Sequence, residues 1–322
     1  MHARGHARAG GLPAPSHHHR RPPCGPRPAV GRALLKGARP RQWPKNLLVF
    51  VAPAAAGVLH VPHQALVACG AFVTFCIAAS GTYLLNDCLD AEPDRHHPVK
   101  RERPVASGAL PVRTAATAGA ALVVASVGAG WLVSGWQLAL VVASYVVATV
   151  AYSAWLKRLP VVEMAVVAAG FVLRAVAGGV ATHVPLSSWF LVVTSFGALF
   201  VTAGKRMAEH ARLGDERGHH RSVLERYDAS FLRSTVTLSA TVTVTAYCLW
   251  ALDHGNGLVA RAGPRATWIG LTVVPVVVGV LVMLRLLDAG EGGAPEDLLL
   301  HDRVLQVLGL VWAALFAVGL YG

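Results

Sequence analysis

The sequence predicts an all-α integral membrane protein in which nine helices form one transmembrane bundle. Hydrophobic residues make up 54% of the 322 residues and charged residues only 14%, against roughly 25% charged residues in a soluble globular protein. The apolar residues also occur in long continuous runs, rather than in the alternation that is typical of strands. These observations exclude an ordinary soluble enzyme, a coiled coil and a chain that is disordered throughout.

Residues 1–38 are expected to form a disordered basic tail ahead of a single transmembrane catalytic domain, residues 39–322. The tail is rich in Arg, His, Pro and Gly, and such a composition does not favour a packed core. It also differs from a secretory signal peptide, in which a short basic stretch leads directly into an apolar run.

Nine stretches of the sequence are candidates for membrane crossing, which requires about 20 mostly apolar helical residues. They cover approximately residues 46–60, 65–85, 112–133, 136–155, 161–181, 187–203, 230–252, 267–287 and 302–321. The first and the sixth are short. Gly and Pro occur within several of them, and membrane bundles tolerate both.

The basic residues predict the orientation of these segments. Of the 29 lysines and arginines, all except Arg174, Arg261 and Arg265 lie in the N-terminal region or in and beside the loops after even-numbered segments. By the positive-inside rule those regions are cytoplasmic. We therefore expect a multi-pass protein of the plasma (inner) membrane, with its N-terminus and its active site facing the cytoplasm. A nucleic-acid partner is not expected, because the positive charge is spread over membrane loops.

A cluster of acidic residues follows the second segment. Asn86, Asp87, Asp90 and Asp94 lie within about 100° of one another on a helix, although Pro93 should kink or end the helix before Asp94. Clustered carboxylates repel one another unless a cation lies between them, and hard oxygen ligands favour Mg²⁺. These four residues are the predicted metal ligands, and the three aspartates are the predicted catalytic residues. The alternative is a solvated helix end.

Basic residues near this cluster predict that the substrate carries phosphate. Lys100 and Arg101 follow the acidic cluster, and Lys205 and Arg206 follow the sixth segment, with Glu209 on the next turn. Carboxylates beside cationic groups suit a metal-bridged polyphosphate, whose remaining oxygens the basic side chains bind. The positive-inside bias alone is the alternative for the second pair.

Two further basic residues are candidate substrate ligands. Lys45 precedes the first segment and is either a phosphate ligand or an interfacial anchor. Arg174 lies within the fifth segment, and an ionisable residue at membrane depth is a functional candidate by default. Glu163 is eleven residues earlier, about 16 Å along a straight helix, so the two side chains cannot pair directly.

The pattern Asn86-Asp87-x-x-Asp90-x-x-x-Asp94 resembles the first aspartate-rich motif of the UbiA superfamily of intramembrane prenyltransferases. Nine helices, with this motif after the second, are also typical of that family. Tyr152-Ser153 followed by Lys157-Arg158 is similar to another of its motifs. The resemblance implies a UbiA-like bundle, and it implies that Tyr152 and Lys157 bind substrate.

Further stretches narrow the resemblance to the decaprenyl-phosphate phosphoribosyltransferases of actinobacteria. They are residues 39–46, 94–104, 174–182, 204–206 and 295–303. This branch implies transfer of phosphoribose from phosphoribosyl pyrophosphate to a polyprenyl phosphate, a step toward cell-wall arabinan. In such a reaction Mg²⁺ neutralises the departing pyrophosphate, while Lys100, Arg101, Lys205 and Arg206 hold other phosphate oxygens.

One departure from the wider family supports the narrower resemblance. Typical members carry a second DxxxD motif after the sixth segment, whereas residues 204–217 contain no such pair and begin with Gly204-Lys205-Arg206. A metal cluster facing basic residues suits two phosphate-bearing substrates. An aromatic prenyltransferase that uses a prenyl diphosphate is the nearest alternative, and a transporter is the alternative from another class. A homo-oligomer stays possible.

Overall fold

The computed structural model describes residues 30–213, 226–259, 264–289, 298 and 301–321, and no strand occurs among them. The α-helices are α1 (Val30–Ala38), α2 (Val51–Ala55), α3 (Pro62–Leu89), α4 (Ala91–His96), α5 (Val112–Ala154), α6 (Val162–Ala181), α7 (Ser188–Leu213), α8 (Ala229–Val259), α9 (Pro264–Leu271), α10 (Val273–Asp288) and α11 (Arg303–Tyr321). The 3₁₀ helices are Pro40–Phe50, Val58–His60, Lys100–Glu102 and Leu156–Arg158. The prediction of an all-helical membrane protein is confirmed.

Seven helical spans among the described residues are long and apolar enough to cross a membrane. They are Pro62–Leu89, Val112–Ala154, Val162–Ala181, Ser188–Ala211, Ala229–Leu252, Thr267–Asp288 and Arg303–Tyr321. The sequence predicts nine segments. The difference arises at two places, the long helix α5 and the first predicted segment.

Helix α5 contains both the third and the fourth predicted segments. Its 43 residues would extend about 65 Å if straight, twice the thickness of a hydrocarbon core. The backbone leaves helical geometry at Ser134 and Gly135. A Cβ on Gly130 would lie 3.2 Å from the Cα of Ala139, so the chain reverses there. Helix α5 is therefore two antiparallel arms joined by a tight turn.

The first predicted segment, residues 46–60, does not form a continuous α-helix. The chain instead runs through the 3₁₀ helix Pro40–Phe50, the short helix α2 and a second 3₁₀ turn after Gly57, whose φ is 67°. Pro44 and Pro53 lie inside these short helices. Because proline has no backbone N–H, each one removes a donor that a regular α-helix would use.

The 3₁₀ helix Pro40–Phe50 is held in the bundle by polar contacts to Asn46. The Asn46 side chain is fully buried; its Oδ1 accepts from Arg174 Nε at 2.8 Å, and its Nδ2 donates to Cys76 Sγ at 3.3 Å. Arg174 also donates to the backbone oxygen of Gly170 and, at 2.9 Å, to Tyr145 Oη. Arg174 thus connects this irregular segment to helices α5 and α6.

Helix α1 packs on the end of α3, close to the acidic cluster. Ala33 and Gly37 are buried, and a Cβ on Gly37 would approach Leu84 Cδ2 to 2.7 Å. The helix shows that Val30–Ala38, assigned to the tail from sequence, has regular structure of its own. Residues 1–29 lie outside the described residues.

The helices alternate in direction, and this brings distant polar residues to one end of the bundle. The C-terminal ends of α3, α5 and α7 and the N-terminal end of α6 meet there, as connected antiparallel neighbours must. We call this the polar end of the bundle.

Replacement of Gly178 by alanine should destabilise the bundle. An added Cβ would lie 1.7 Å from the backbone oxygen of Val49, so α6 and the Pro40–Phe50 segment would have to separate, at a cost of about 1–3 kcal/mol. Thermal unfolding in detergent measures the change. Gly128→Ala is the matched control, because no atom of the described residues lies within 4 Å of its Cβ position. Equal melting temperatures for the two variants would contradict the close contact.

A candidate active site at the polar end of the bundle

The acidic cluster straddles a break between two helices. Asp87 lies in the last turn of α3, Asp90 occupies the junction with φ −97° and ψ 6°, and Asp94 lies in α4. Pro93 cannot donate to the backbone of Leu89, which explains the predicted kink. Asp87 and Asp94 are 1% and 3% exposed, whereas Asn86 and Asp90 are half-buried.

Each of the three aspartates is paired with a cation from elsewhere in the chain. Arg39 binds Asp87 Oδ1, and Lys157 binds Asp90 Oδ1. Arg103 bridges the two buried carboxylates, 2.6 Å from Asp94 Oδ2 and 3.4 Å from Asp87 Oδ1. These six side chains, which we call the charge cluster, come from four separate parts of the chain.

Backbone strain accompanies the Arg39 contact. Arg39 adopts a left-handed conformation, with φ 53° and ψ 60°, at the junction between α1 and the 3₁₀ helix. Its guanidinium lies 5.0 Å from the centre of the Tyr83 ring. A non-glycine residue in this region costs on the order of 1–3 kcal/mol and persists only where the surroundings enforce it. Here the strained turn directs Arg39 into the charge cluster.

The charge cluster fits a divalent cation that is shared with a phosphate ligand. Asp87 Oδ2 is buried and has no hydrogen-bond partner among the described residues, so one hard oxygen donor is left over. The described residues nevertheless contain no group of three or more His, Cys, Asp or Glu side chains that could hold a metal. Mg²⁺ commonly uses one or two carboxylates together with substrate phosphates. The arrangement therefore matches that mode and not a closed cage of the four predicted ligands.

A second group of charges lies at the same end of the bundle. Arg206 donates from Nε and Nη2 to the two carboxylate oxygens of Glu163, at 2.7 and 3.0 Å, and from Nη1 to Glu209 at 2.7 Å. Arg206 is 3% exposed and Glu163 is fully buried. A bidentate pair of this kind fixes both side chains firmly. Arg206 is thus held between two carboxylates.

A strained turn places Glu163 at the start of α6. Val161 has φ 66° and ψ −51°, and the N–H of Val162 donates to the backbone oxygen of Pro160 at 2.7 Å, which defines a rare classic γ-turn. The N–H of Val161 donates to Tyr227 Oη at 2.6 Å. Burial raises the pKa of the Tyr227 hydroxyl, so the group remains neutral. Tyr227 therefore fixes the turn from the segment before α8.

The other predicted site residues have more varied positions. Lys45, Lys100, Tyr152 and Lys205 are half-buried, and Arg101 is exposed. Arg174 lies in the middle of α6, where its contacts to Asn46, Gly170 and Tyr145 hold the first segment in place. The observed contacts of Arg174 are therefore structural ones within the bundle core.

Sequence reasoning did not single out Arg39, Arg103 or Glu163 as site residues. Arg39 and Arg103 lie within stretches that carried the family resemblance, which was the available signal. Glu163 was considered only against Arg174, as an ionisable residue within a segment, and its role stayed open; its actual partner, Arg206, is 43 residues away. Only the packing of α6 against α7 brings these two together.

Comparison with known proteins relates the chain to enzymes of one type. It is 42% identical over 307 residues to a decaprenyl-phosphate phosphoribosyltransferase of Mycolicibacterium smegmatis, covering 93% of this chain and 96% of the relative. A relative of the same name from Corynebacterium glutamicum is 42% identical, over 89% of this chain and 86% of its own length. Another, from Mycobacterium tuberculosis, is 43% identical over 87% and 92%.

Solved structures show the same fold. A UbiA homolog from Archaeoglobus fulgidus bound to GPP and Mg²⁺ superimposes with a TM-score of 0.64 and 17% identity, over 89% of this chain and 98% of that protein. A UbiA homolog from Aeropyrum pernix gives a TM-score of 0.54 and 13% identity, over 90% and 98%. The family model of the UbiA prenyltransferase family matches residues 47–320 of this chain. This chain therefore belongs to the UbiA prenyltransferase family.

Proposed function

We propose that this protein transfers the 5-phosphoribosyl group of phosphoribosyl pyrophosphate to a polyprenyl phosphate, with decaprenyl phosphate the expected acceptor. The observation that carries the assignment is the 42% identity, over 93% of the chain, to a relative named for that reaction. The charge cluster supports it, because carboxylates and cations at one end of an apolar bundle suit two phosphate-bearing substrates. The product would serve as a precursor of cell-wall arabinan.

The reaction is a substitution at the anomeric carbon of the sugar. A phosphate oxygen of the lipid attacks this carbon, the bond to pyrophosphate breaks, and pyrophosphate leaves with the bonding electrons. A phosphate monoester has a second pKa of about 6, so the acceptor is already anionic near neutral pH. The reaction therefore requires no strong general base, and its main requirement is stabilisation of negative charge on the leaving group.

The acidic residues are proposed to hold the diphosphate through a metal ion. Asp87, Asp90 and Asp94, with Asn86 assisting, are the candidate ligands, and one or two of these carboxylates at a time would hold Mg²⁺ together with phosphate oxygens of the substrate. The bound ion would neutralise the charge that develops on pyrophosphate. Asp87 Oδ2, which has no hydrogen-bond partner in the described part of the chain, supports this role. Arg39 and Arg103, which already lie beside these carboxylates, are placed to contact the same diphosphate.

The remaining polar residues are proposed to position the two substrates. Lys100 and Arg101 would bind other oxygens of the donor, while Lys45, Tyr152 and Lys157 would border the site. Lys205 would contact the acceptor phosphate. Arg206, between Glu163 and Glu209, would orient this part of α7 and contribute a cation to the same subsite. Arg174 is proposed to act on the substrate site indirectly, because its contacts hold the first segment in place.

The family fold also supports nine membrane crossings by a domain that begins near residue 39. Pro40–Phe50 extends about 20 Å at the rise of a 3₁₀ helix, and α2 adds roughly 8 Å, which together approach the thickness of a bilayer core. This segment, the two arms of α5 and the other six spans give nine. The distribution of basic residues supports a cytoplasmic polar end.

Labelled substrates should identify the reaction. Purified protein with Mg²⁺, decaprenyl phosphate and labelled phosphoribosyl pyrophosphate is expected to give a labelled lipid, because the anomeric carbon is the electrophile. Thin-layer chromatography of extracted lipid detects it, and a chelator should abolish it. Labelled lipid only from a prenyl diphosphate and 4-hydroxybenzoate would instead indicate an aromatic prenyltransferase. Uptake of solute without lipid product would indicate a transporter.

Asp90→Asn should lower phosphoribosyl transfer at least about 100-fold, the loss typical when one stabilising charge is removed from a transition state. The variant should still insert and elute as wild type, since Asp90 is half-buried. Glu92→Gln is the matched control, because Glu92 is an exposed carboxylate two residues away that pairs with Arg95. Full activity of the Asp90 variant would remove this carboxylate from the proposed metal site.

Lys205→Ala should depress phosphoribosyl transfer severely, about 100-fold, mainly because the acceptor phosphate loses its contact to this side chain. Steady-state kinetics with varied polyprenyl phosphate measure the effect. Arg113→Ala, an exposed basic residue at the start of α5, should leave activity unchanged. If both variants retain wild-type rates, the basic residue at 205 reflects membrane orientation alone.

A further inference from the structure

In the charge cluster the carboxylates are balanced by an equal number of cations, which is not a general feature of metal-binding carboxylates. Its three carboxylates, Asp87, Asp90 and Asp94, are matched by three cations, so that these six formal charges sum to zero. Asp87 and Asp94 are almost fully buried. Charges in such surroundings interact more strongly than in water, because the effective dielectric constant is lower.

Binding of a divalent cation alone to the charge cluster is electrostatically unfavourable. It adds two positive charges to a neutral group, and to gain carboxylate oxygens it must displace guanidinium or ammonium groups from them. A displaced cation then lacks a counter-ion in a partly desolvated site, which is costly. Asp87 Oδ2 lacks a hydrogen-bond partner among the residues that the structure describes, so it could bind the cation, but it supplies only one oxygen.

The balance changes when the metal enters as its diphosphate complex. That complex carries net negative charge and provides several phosphate oxygens. The aspartates would hold the metal, while Arg39, Arg103 and Lys157, released from them, would bind phosphate oxygens, so that every charge would exchange one partner for another. Arginine suits this exchange because its planar group binds carboxylate and phosphate with similar geometry.

We propose that Arg39, Arg103 and Lys157 are exchangeable counter-ions that make metal binding conditional on the diphosphate. They occupy the carboxylates until a metal–diphosphate complex arrives and then bind its phosphates. The site consequently discriminates against free divalent cations. This inference rests on the proposed function for the identity of the diphosphate substrate, but it concerns the binding equilibrium and not the transfer itself.

The geometry of the three cations favours exchange over a fixed structural role. Each has a side chain that is about one-quarter exposed, at 25%, 24% and 26%, unlike Arg206, which is 4% exposed beside Glu163. Arg103 divides its contact between two carboxylates, so it can release one while it keeps the other. Lys157 and Asp90 are both accessible from the polar end.

The test compares two binding equilibria in protein reconstituted into nanodiscs of zwitterionic lipid. Equilibrium dialysis measures the affinity for radioactive Mn²⁺ alone and, separately, for radiolabelled pyrophosphate in the presence of Mn²⁺. A third dialysis measures pyrophosphate without metal. For the wild type, the complex should bind at least about tenfold more tightly than either component alone, equivalent to about 1.4 kcal/mol of coupling.

Variants that remove one cation should change the two affinities in opposite directions. Arg39→Gln and Lys157→Gln are each expected to bind Mn²⁺ alone about tenfold more tightly, because a competing cation is gone, and the complex about tenfold more weakly. Arg233→Gln is the control, since Arg233 forms an exposed pair with Asp288, and it should change neither affinity. If Arg39→Gln does not fold, Lys157→Gln decides the question.

A loss of both affinities would show that the cations only support the site's structure, and unchanged Mn²⁺ affinity would show that they bind phosphate without competing with the metal. Either result overturns the proposal. The proposed function fails separately: opposite shifts in protein that transfers no phosphoribose would leave the exchange standing and reject the substrate.

Discussion

The requirement that buried carboxylates be neutralised governs the arrangement of the polar end of the bundle. Asp87 and Asp94 are almost inaccessible to water at the end of an apolar bundle, where unpaired charges are strongly disfavoured. The chain meets this requirement with Arg39, which precedes the first segment, and with Arg103, in the loop after α4. Lys157, after α5, pairs in the same way with the half-buried Asp90. The ion pairs that neutralise the carboxylates therefore also bring the residues of the site together.

The need to pair buried charges also accounts for two strained positions of the backbone. Arg39 and Val161 both have positive φ. Arg39 itself pairs with Asp87, and Val161 lies two residues before Glu163, which pairs with Arg206. Regular helices alone would not direct Arg39 toward Asp87 or start α6 so that Glu163 reaches Arg206. The strain at these turns is compensated by the charged contacts and by the hydrogen bond from Val161 to Tyr227.

Deeper in the bundle, the contact between Arg174 and Asn46 holds the first segment in place. The first segment is a 3₁₀ helix rich in proline, and it would not be expected to hold its place by regular helix packing. Arg174 and Asn46 fix it, and the absence of a side chain at Gly178 allows the backbone of Val49 to approach. An arginine at membrane depth thus contributes to the architecture on which the site at the end of the bundle depends.

The sequence by itself determined the helical membrane fold, the family and the acidic residues, because long apolar runs and a closely spaced motif are local signals. It also indicated the kink at Pro93. It placed the break between the third and fourth segments where Ser134 and Gly135 leave helical geometry. The sequence did not reveal that residues 46–60 lack a continuous α-helix, or that Arg39, Arg103 and Glu163 complete the polar end. The tertiary structure decided these features. The pairs of Arg39, Glu163 and Lys157 join residues 43 to 67 positions apart and form only when packing brings their segments together. Arg103 lies 9 and 16 positions from its partners, and only the fold of the intervening loop turns it back to them.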